Sequence, residues 1–94
     1  MQRLQLHQIK TDAKSGVINA VELFYSKNDG VRLFVNYKPG FTYNLGCLVT
    51  QRNEVRHFKS LDSAYKVAHD IAVLLPSESG TTAIDVSIKG DCNE

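Results

Sequence analysis

The stretch from residue 17 to residue 37 alternates between apolar and polar side chains, and this constrains the fold more than any other feature. Successive side chains point to opposite faces of a strand, so the alternation predicts two strands that share one apolar face. Between them, Asn28-Asp29-Gly30 predicts a three-residue hairpin loop, because glycine readily adopts the left-handed conformation needed at the end of such a loop. The apolar residues of the two strands are Val17, Val21, Leu23, Tyr25, Val31, Leu33, Val35 and Tyr37.

A loop of this length also predicts the register of the hairpin. It keeps all the odd-numbered apolar residues on one face, whereas a loop of two or four residues would bury Glu22 or Arg32. The even-numbered face then carries Phe24 directly opposite Phe34. The predicted pairs on the apolar face are Tyr25 with Leu33, Leu23 with Val35, and Val21 with Tyr37.

The segments that follow extend the hairpin into a predicted antiparallel meander over residues 17–58. Lys38-Pro39-Gly40-Phe41 suits a type II turn, with proline second and glycine third. Residues 41–50 form the third strand and residues 55–58 a short fourth one. Gly46 interrupts the third strand and predicts a bulge or a close backbone approach. The odd positions of that strand, which we expect to face the core, are Phe41, Tyr43, Leu45, Cys47 and Val49.

The period of the pattern changes after residue 59, where the sequence predicts a helix. Ser60 is a favourable N-cap, and Asp62 lies in the first turn, where the helix dipole favours negative charge. Pro76 ends the helix. Its apolar residues recur three or four positions apart, as on one helix face: Leu61, Ala64, Tyr65, Ala68, Ile71, Ala72 and Leu75.

Together these elements predict an α+β domain, a curved antiparallel β-meander packed against one C-terminal amphipathic helix. We expect short extra strands near both termini, at residues 3–9 and 83–88, and a polar loop at residues 11–16. With 94 residues, the chain has room for a single domain, residues 1–94, because a second core would leave too few residues for either.

Motifs of catalysis or metal binding do not occur in the sequence. There is no GxGxxG, no GxxxxGK[ST] and no GxSxG. His7, His57 and His69 are scattered over three segments, and Cys47 and Cys92 are far apart, so no pair has the spacing of zinc ligands. We therefore expect a non-enzymatic protein with no catalytic residues, no metal and no cofactor.

Charge and hydropathy exclude several other classes. The formal net charge is only +1, which argues against a polybasic protein, although residues 1–59 hold nine basic and four acidic side chains. The longest apolar run, residues 71–75, is too short to span a bilayer. The N-terminal residues lack the apolar core of a signal peptide. We expect a cytoplasmic protein without a membrane partner.

The even-numbered face of the meander is the candidate site of function. If the helix covers the odd-numbered face, an aromatic pair with an arginine beside it stays open, and such surfaces often bind proteins. We expect the chain to form a homodimer or to bind another protein through this face. The predicted contact residues are Phe24, Arg32, Phe34, Asn36, Arg52 and Arg56.

Two alternatives compete with a protein contact. Aromatic side chains interleaved with arginines can stack bases and hold phosphates, which predicts a single-stranded nucleic-acid partner. Four antiparallel strands followed by a helix also resemble, in element order, the Whirly-type single-stranded-DNA-binding proteins, and this resemblance implies the same partner. The third reading is structural, with Phe24 and Phe34 forming a cross-strand pair covered by a terminal strand of the same chain.

Overall fold

The chain is described here by a computed structural model, which covers residues 2–75 and 86–90. The predicted α+β class is confirmed, although a second helix is present. The predicted strand at residues 83–88 falls partly outside the described residues. In chain order the elements are β1 (Gln2–Leu4), α1 (Leu6–Ser15), β2 (Ile18–Ser26), β3 (Gly30–Tyr37), β4 (Leu45–Leu48), α2 (Leu61–Ala72) and β5 (Val86–Gly90).

The strands form one mixed sheet in the order β1-β4-β3-β2-β5. β2, β3 and β4 are antiparallel neighbours, whereas β1 runs parallel to β4 and β5 runs parallel to β2. The expectation of a purely antiparallel sheet is therefore wrong. Residues 5–44 separate β1 from β4, and residues 27–85 separate β2 from β5. Long connections of this kind allow the parallel pairing that a tight hairpin turn forbids.

The register of the β2–β3 hairpin differs from the predicted one by two residues. Ser26 pairs with Gly30 and Leu23 pairs with Leu33, so the loop consists of residues 27–29. Gly30 does adopt the left-handed conformation, with a φ of 79°. Because side chains repeat every second residue, a shift of two leaves the same residues facing the core.

Both helices pack on the odd-numbered face of the sheet, so the domain has two layers. Leu23, Leu33 and Val35 are fully buried in the middle of this face. α2 begins where the sequence predicts, and the Ser60 side chain accepts a hydrogen bond from the Ser63 N–H at 3.2 Å. Tyr65, expected on the buried face of α2, is 49% exposed. The helix residues in the core are Ile9, Ala13, Ala64, Ala68 and Ile71.

Helix α1 replaces most of the strand expected at residues 3–9 and the loop expected at residues 11–16. Its buried side chains, Ile9 and Ala13, lie four residues apart, as on one helix face. Gly16 ends the helix in the left-handed conformation, and its N–H donates to the Ala13 carbonyl. The prediction failed because the apolar residues at 4 and 6 alternate like a strand and the next segment is polar.

Strand β4 is shorter than predicted and faces the opposite way. Leu48 lies in the core at 1% exposure, whereas Cys47 pairs with Phe34 and so shares its face. The expectation that Cys47 faces the core is wrong. Gly46 faces the core instead, and a Cβ at this position would lie 2.5 Å from Leu4 Cδ1. The closest neighbours of Gly46 are thus the side chains of Leu4 and Tyr37, and not the backbone that the sequence predicts.

Residues 55–58 do not form the expected fourth strand. They make two isolated bridges, Val55 with Val49 and Phe58 with Val31. With β1 and α1 preceding the meander and only three regular meander strands described, the element order departs from the one that resembles Whirly-type proteins. Neither described helix is long and apolar enough to cross a membrane.

Three aromatic rings, Tyr37, Phe41 and Tyr43, cluster at one end of the sheet. Tyr37 stacks on Phe41 with ring centres 4.9 Å apart and meets Tyr43 edge to face. The predicted turn at residues 38–41 is present, and the Phe41 N–H donates a hydrogen bond to the Lys38 carbonyl. The Tyr37 hydroxyl donates to Asp12 Oδ2 at 2.7 Å, which ties α1 to the end of β3.

We expect Tyr37→Phe to lower the free energy of unfolding by about 1 kcal/mol at neutral pH, because the hydrogen bond to Asp12 is lost. Burial and the neighbouring Asp12 carboxylate raise the pKa of Tyr37 far above its usual range. Because the folded-state pKa is the higher one, this stabilisation is complete below about pH 10 and is lost as the pH rises further.

Urea unfolding between about pH 9 and 11 measures this loss, since the usual tyrosine pKa lies near 10. The wild type is expected to lose stability more steeply than Tyr37→Phe. Tyr65→Phe is the matched control, because Tyr65 is exposed on α2. Equal slopes for the wild type and Tyr37→Phe would contradict the prediction.

Candidate contact face

We call the side of the sheet that is turned away from both helices the outer face. No described helix or strand covers it. Its positions follow from the strand pairing, since directly paired residues share a face. Among the described residues other than those of β5, the strand positions on this face are Arg3, Ala20, Glu22, Phe24, Ser26, Arg32, Phe34, Asn36, Leu45 and Cys47.

The aromatic pair predicted for this face is present, with a changed arrangement. Phe24 pairs directly with Arg32, and Phe34 with Glu22, so the two phenylalanines are diagonal neighbours. Their ring centres are 6.3 Å apart and the planes meet at 74°, an edge-to-face contact. Both side chains are half-buried. β1 and β5 lie at the two edges of the sheet and not over these rings, so neither terminal strand provides the cover considered in the third reading.

Arg32 lies over both rings at the centre of the outer face. Its Cζ is 5.1 Å from the ring centre of Phe24 and 5.8 Å from that of Phe34. Two cation–π contacts hold the guanidinium in place. The Nε atom is buried and has no hydrogen-bond partner among the described residues. Buried N–H groups are nearly always paired, so Arg32 Nε is an exception within the described residues.

Cys47 lies beside this group and is 3% exposed. Burial raises the pKa of its thiol, and the nearby cations Arg32 and Arg3 offset only part of that rise. Its Sγ is 3.7 Å from the Leu48 carbonyl oxygen. A protonated, buried thiol is a poor nucleophile, so Cys47 acts here as a small packing residue.

Charged groups of both signs surround the aromatic pair. Arg3, at the edge of the face on β1, is the parallel neighbour of Cys47 and donates from Nη1 to the Asn53 carbonyl at 2.9 Å. Glu22 lies on β2 directly opposite Phe34. The outer face therefore has an aromatic centre with cations and a carboxylate around it.

The structure brings together four of the six predicted contact residues, Phe24, Arg32, Phe34 and Asn36. Arg52 lies in the exposed turn after β4, next to the carbonyl that Arg3 binds. Arg56 lies elsewhere, with its guanidinium 4.7 Å over the ring of the core residue Phe58. Sequence reasoning missed Arg3 and Cys47 as residues of this face, because the parallel pairing of β1 with β4 has no short-range signature.

The described residues do not assemble a catalytic or metal centre from the scattered histidines. His57 is exposed and its Nδ1 lies 2.8 Å from the Asp29 carbonyl, at the hairpin loop. No group of three or more His, Cys, Asp or Glu in the described ranges is placed to hold a metal ion.

Comparisons with known protein families, with curated proteins and with solved structures find no match for this chain. The chemistry of the outer face is therefore the ground on which a function can be proposed.

Proposed function

We propose that this chain is a non-enzymatic assembly module that forms a homodimer through the outer face. The observation that carries the proposal is the aromatic and cationic group on this face, with Arg32 held over Phe24 and Phe34. Arginine and aromatic residues are enriched at the energetic centres of protein interfaces. β3 is the middle strand of the sheet, so Arg32 and Phe34 lie at the centre of the face.

A second copy of the chain is the occupant that the charges favour. In a copy related by two-fold symmetry, the same arginine and aromatic side chains meet each other, and such groups pack well across an interface. The formal net charge of +1 produces little long-range repulsion between copies. A domain of 94 residues also buries a modest share of its unfolded surface, and a dimer increases that share.

Single-stranded nucleic acid is the alternative occupant, and the position of Arg32 weighs against it. A base that stacks on Phe24 needs an open ring face, which the Arg32 guanidinium already occupies. The free thiol of Cys47 and the lack of a disulfide framework support the further proposal of a cytoplasmic location.

Phe34→Ala and Arg32→Ala are each expected to raise the dimer dissociation constant by about 30-fold, corresponding to about 2 kcal/mol at an interface centre. Sedimentation equilibrium over a wide concentration range measures this directly. The wild type should approach twice the 10.5 kDa chain mass. Tyr65→Ala removes an exposed aromatic ring from α2, on the other layer, and should leave the dissociation constant unchanged.

Circular dichroism confirms that each variant is folded before its mass is interpreted. A wild type that remains a monomer at the highest soluble concentration would refute the dimer, as would an equal effect of Tyr65→Ala. A fluorescent single-stranded oligonucleotide tests the alternative. Binding that weakens steeply with salt, and that is lost in Arg32→Ala, would favour nucleic acid over a second copy.

A further inference from the structure

A groove of about 350 Å³ lies between the first turns of α1 and the segment that follows β4, away from the outer face. Leu6 and Val49 contribute its apolar surface, and His7, Lys10 and Arg56 contribute basic groups. No Asp or Glu of residues 2–75 lines it. The groove therefore combines a small apolar surface with an uncompensated cationic rim.

The basic groups reach the groove from two sides. His7 and Lys10 are three residues apart on α1 and so lie on the same side of the helix. Lys10 is half-buried, as when the aliphatic stem of a lysine packs against the protein and its ammonium group stays in water. Arg56 comes from the opposite wall, where its backbone N–H donates to the Leu48 carbonyl at 3.0 Å and its guanidinium lies over Phe58. These contacts restrict the conformations of the Arg56 side chain in the absence of a ligand.

We propose that this groove binds a small organic phosphate. Lys10 and Arg56 would hold the phosphate between them, since an ammonium acts as a point charge and a guanidinium can bind two phosphate oxygens at once. Leu6 and Val49 would contact the apolar part of the ligand. The volume lies within the range of small-molecule sites. This site is independent of the proposed dimer, because no residue of the outer face lines the groove.

Adenosine monophosphate is the probe for the test, with adenosine and inorganic phosphate as separate arms. The measurement is the change in amide NMR shifts during titration at low ionic strength. Adenosine monophosphate should shift the amides around Lys10, Thr50 and Arg56, and should bind at least tenfold more tightly than either partial probe. Lys10→Gln and Arg56→Gln should each weaken binding at least tenfold, and Arg56→Lys should weaken it less.

Lys66→Gln is the matched control, because it removes the same charge from an exposed position on α2 outside the groove. It should leave the affinity within twofold of the wild type, and so should the dimer variant Phe34→Ala. The proposal is overturned if millimolar adenosine monophosphate shifts no amide around the groove. It is equally overturned if Lys66→Gln weakens binding as much as Arg56→Gln, or if adenosine binds as tightly as its phosphate.

Discussion

Replacing Gly30 with alanine is expected to lower the free energy of unfolding by about 3 kcal/mol, combining the cost of a left-handed alanine with that of a steric overlap. The φ of Gly30 is 79°, and a Cβ there would lie 2.5 Å from the Phe58 carbonyl oxygen. That oxygen accepts from the Val31 N–H at 3.0 Å, so it cannot move without disturbing the bridge that holds residues 55–58 against β3.

Gly40→Ala is the matched control for this prediction. Gly40 also has a positive φ, 91°, but a Cβ would meet no atom within 4 Å. Only the conformational cost of about 1 kcal/mol remains. Urea unfolding followed by circular dichroism gives both values, and equal losses at the two glycines would show that the approach of Phe58 contributes nothing.

Replacing Leu48 with alanine is expected to lower the free energy of unfolding by about 3 kcal/mol, because a fully buried leucine is removed and a cavity remains. Leu48 is 1% exposed and packs in the core with Leu4. Leu45→Ala, on the outer face of the same strand, is the control. Its side chain is half-buried, so the expected loss is below about 1 kcal/mol in dilute solution.

This pair of variants tests the orientation of β4. The alternation in the sequence predicts Leu45 and Cys47 toward the core, whereas the structure places Leu48 there. A larger loss at Leu45 than at Leu48 would contradict the structure and restore the orientation predicted from sequence. Urea unfolding of both variants at the same protein concentration separates the two orientations.

The elements that sequence reasoning recovered are those with a strong local pattern. The alternation around Leu23 and Leu33 correctly predicts which side of the hairpin faces the core, and Ser60 correctly predicts the start of α2. The exact register was missed by two residues, because both registers keep the same face buried and differ only in whether Gly30 ends the loop or begins the strand.

The features that were missed depend on contacts between distant parts of the chain. At Gly46, the side chain of Leu4, which is distant in sequence, occupies the space that a Cβ would need. Phe41 and Tyr43 alternate like a strand, but they leave the sheet and pack around Tyr37. The same limit applies to the site: Phe24, Arg32, Phe34 and Asn36 follow from one hairpin, whereas Arg3 joins them only through a parallel edge strand.

The two parallel edges of the sheet also determine the order in which the domain can fold. β2 and β3 are joined by a short loop, so their pairing closes early and at little entropic cost. β1 must find β4, and β5 must find β2, across long stretches of chain, since Gln2 meets Gly46 and Val21 meets Val86. Such distant pairings slow folding. Until they form, the outer edges of β4 and β2 carry unpaired backbone groups, and the nascent chain is most vulnerable to aggregation during that interval.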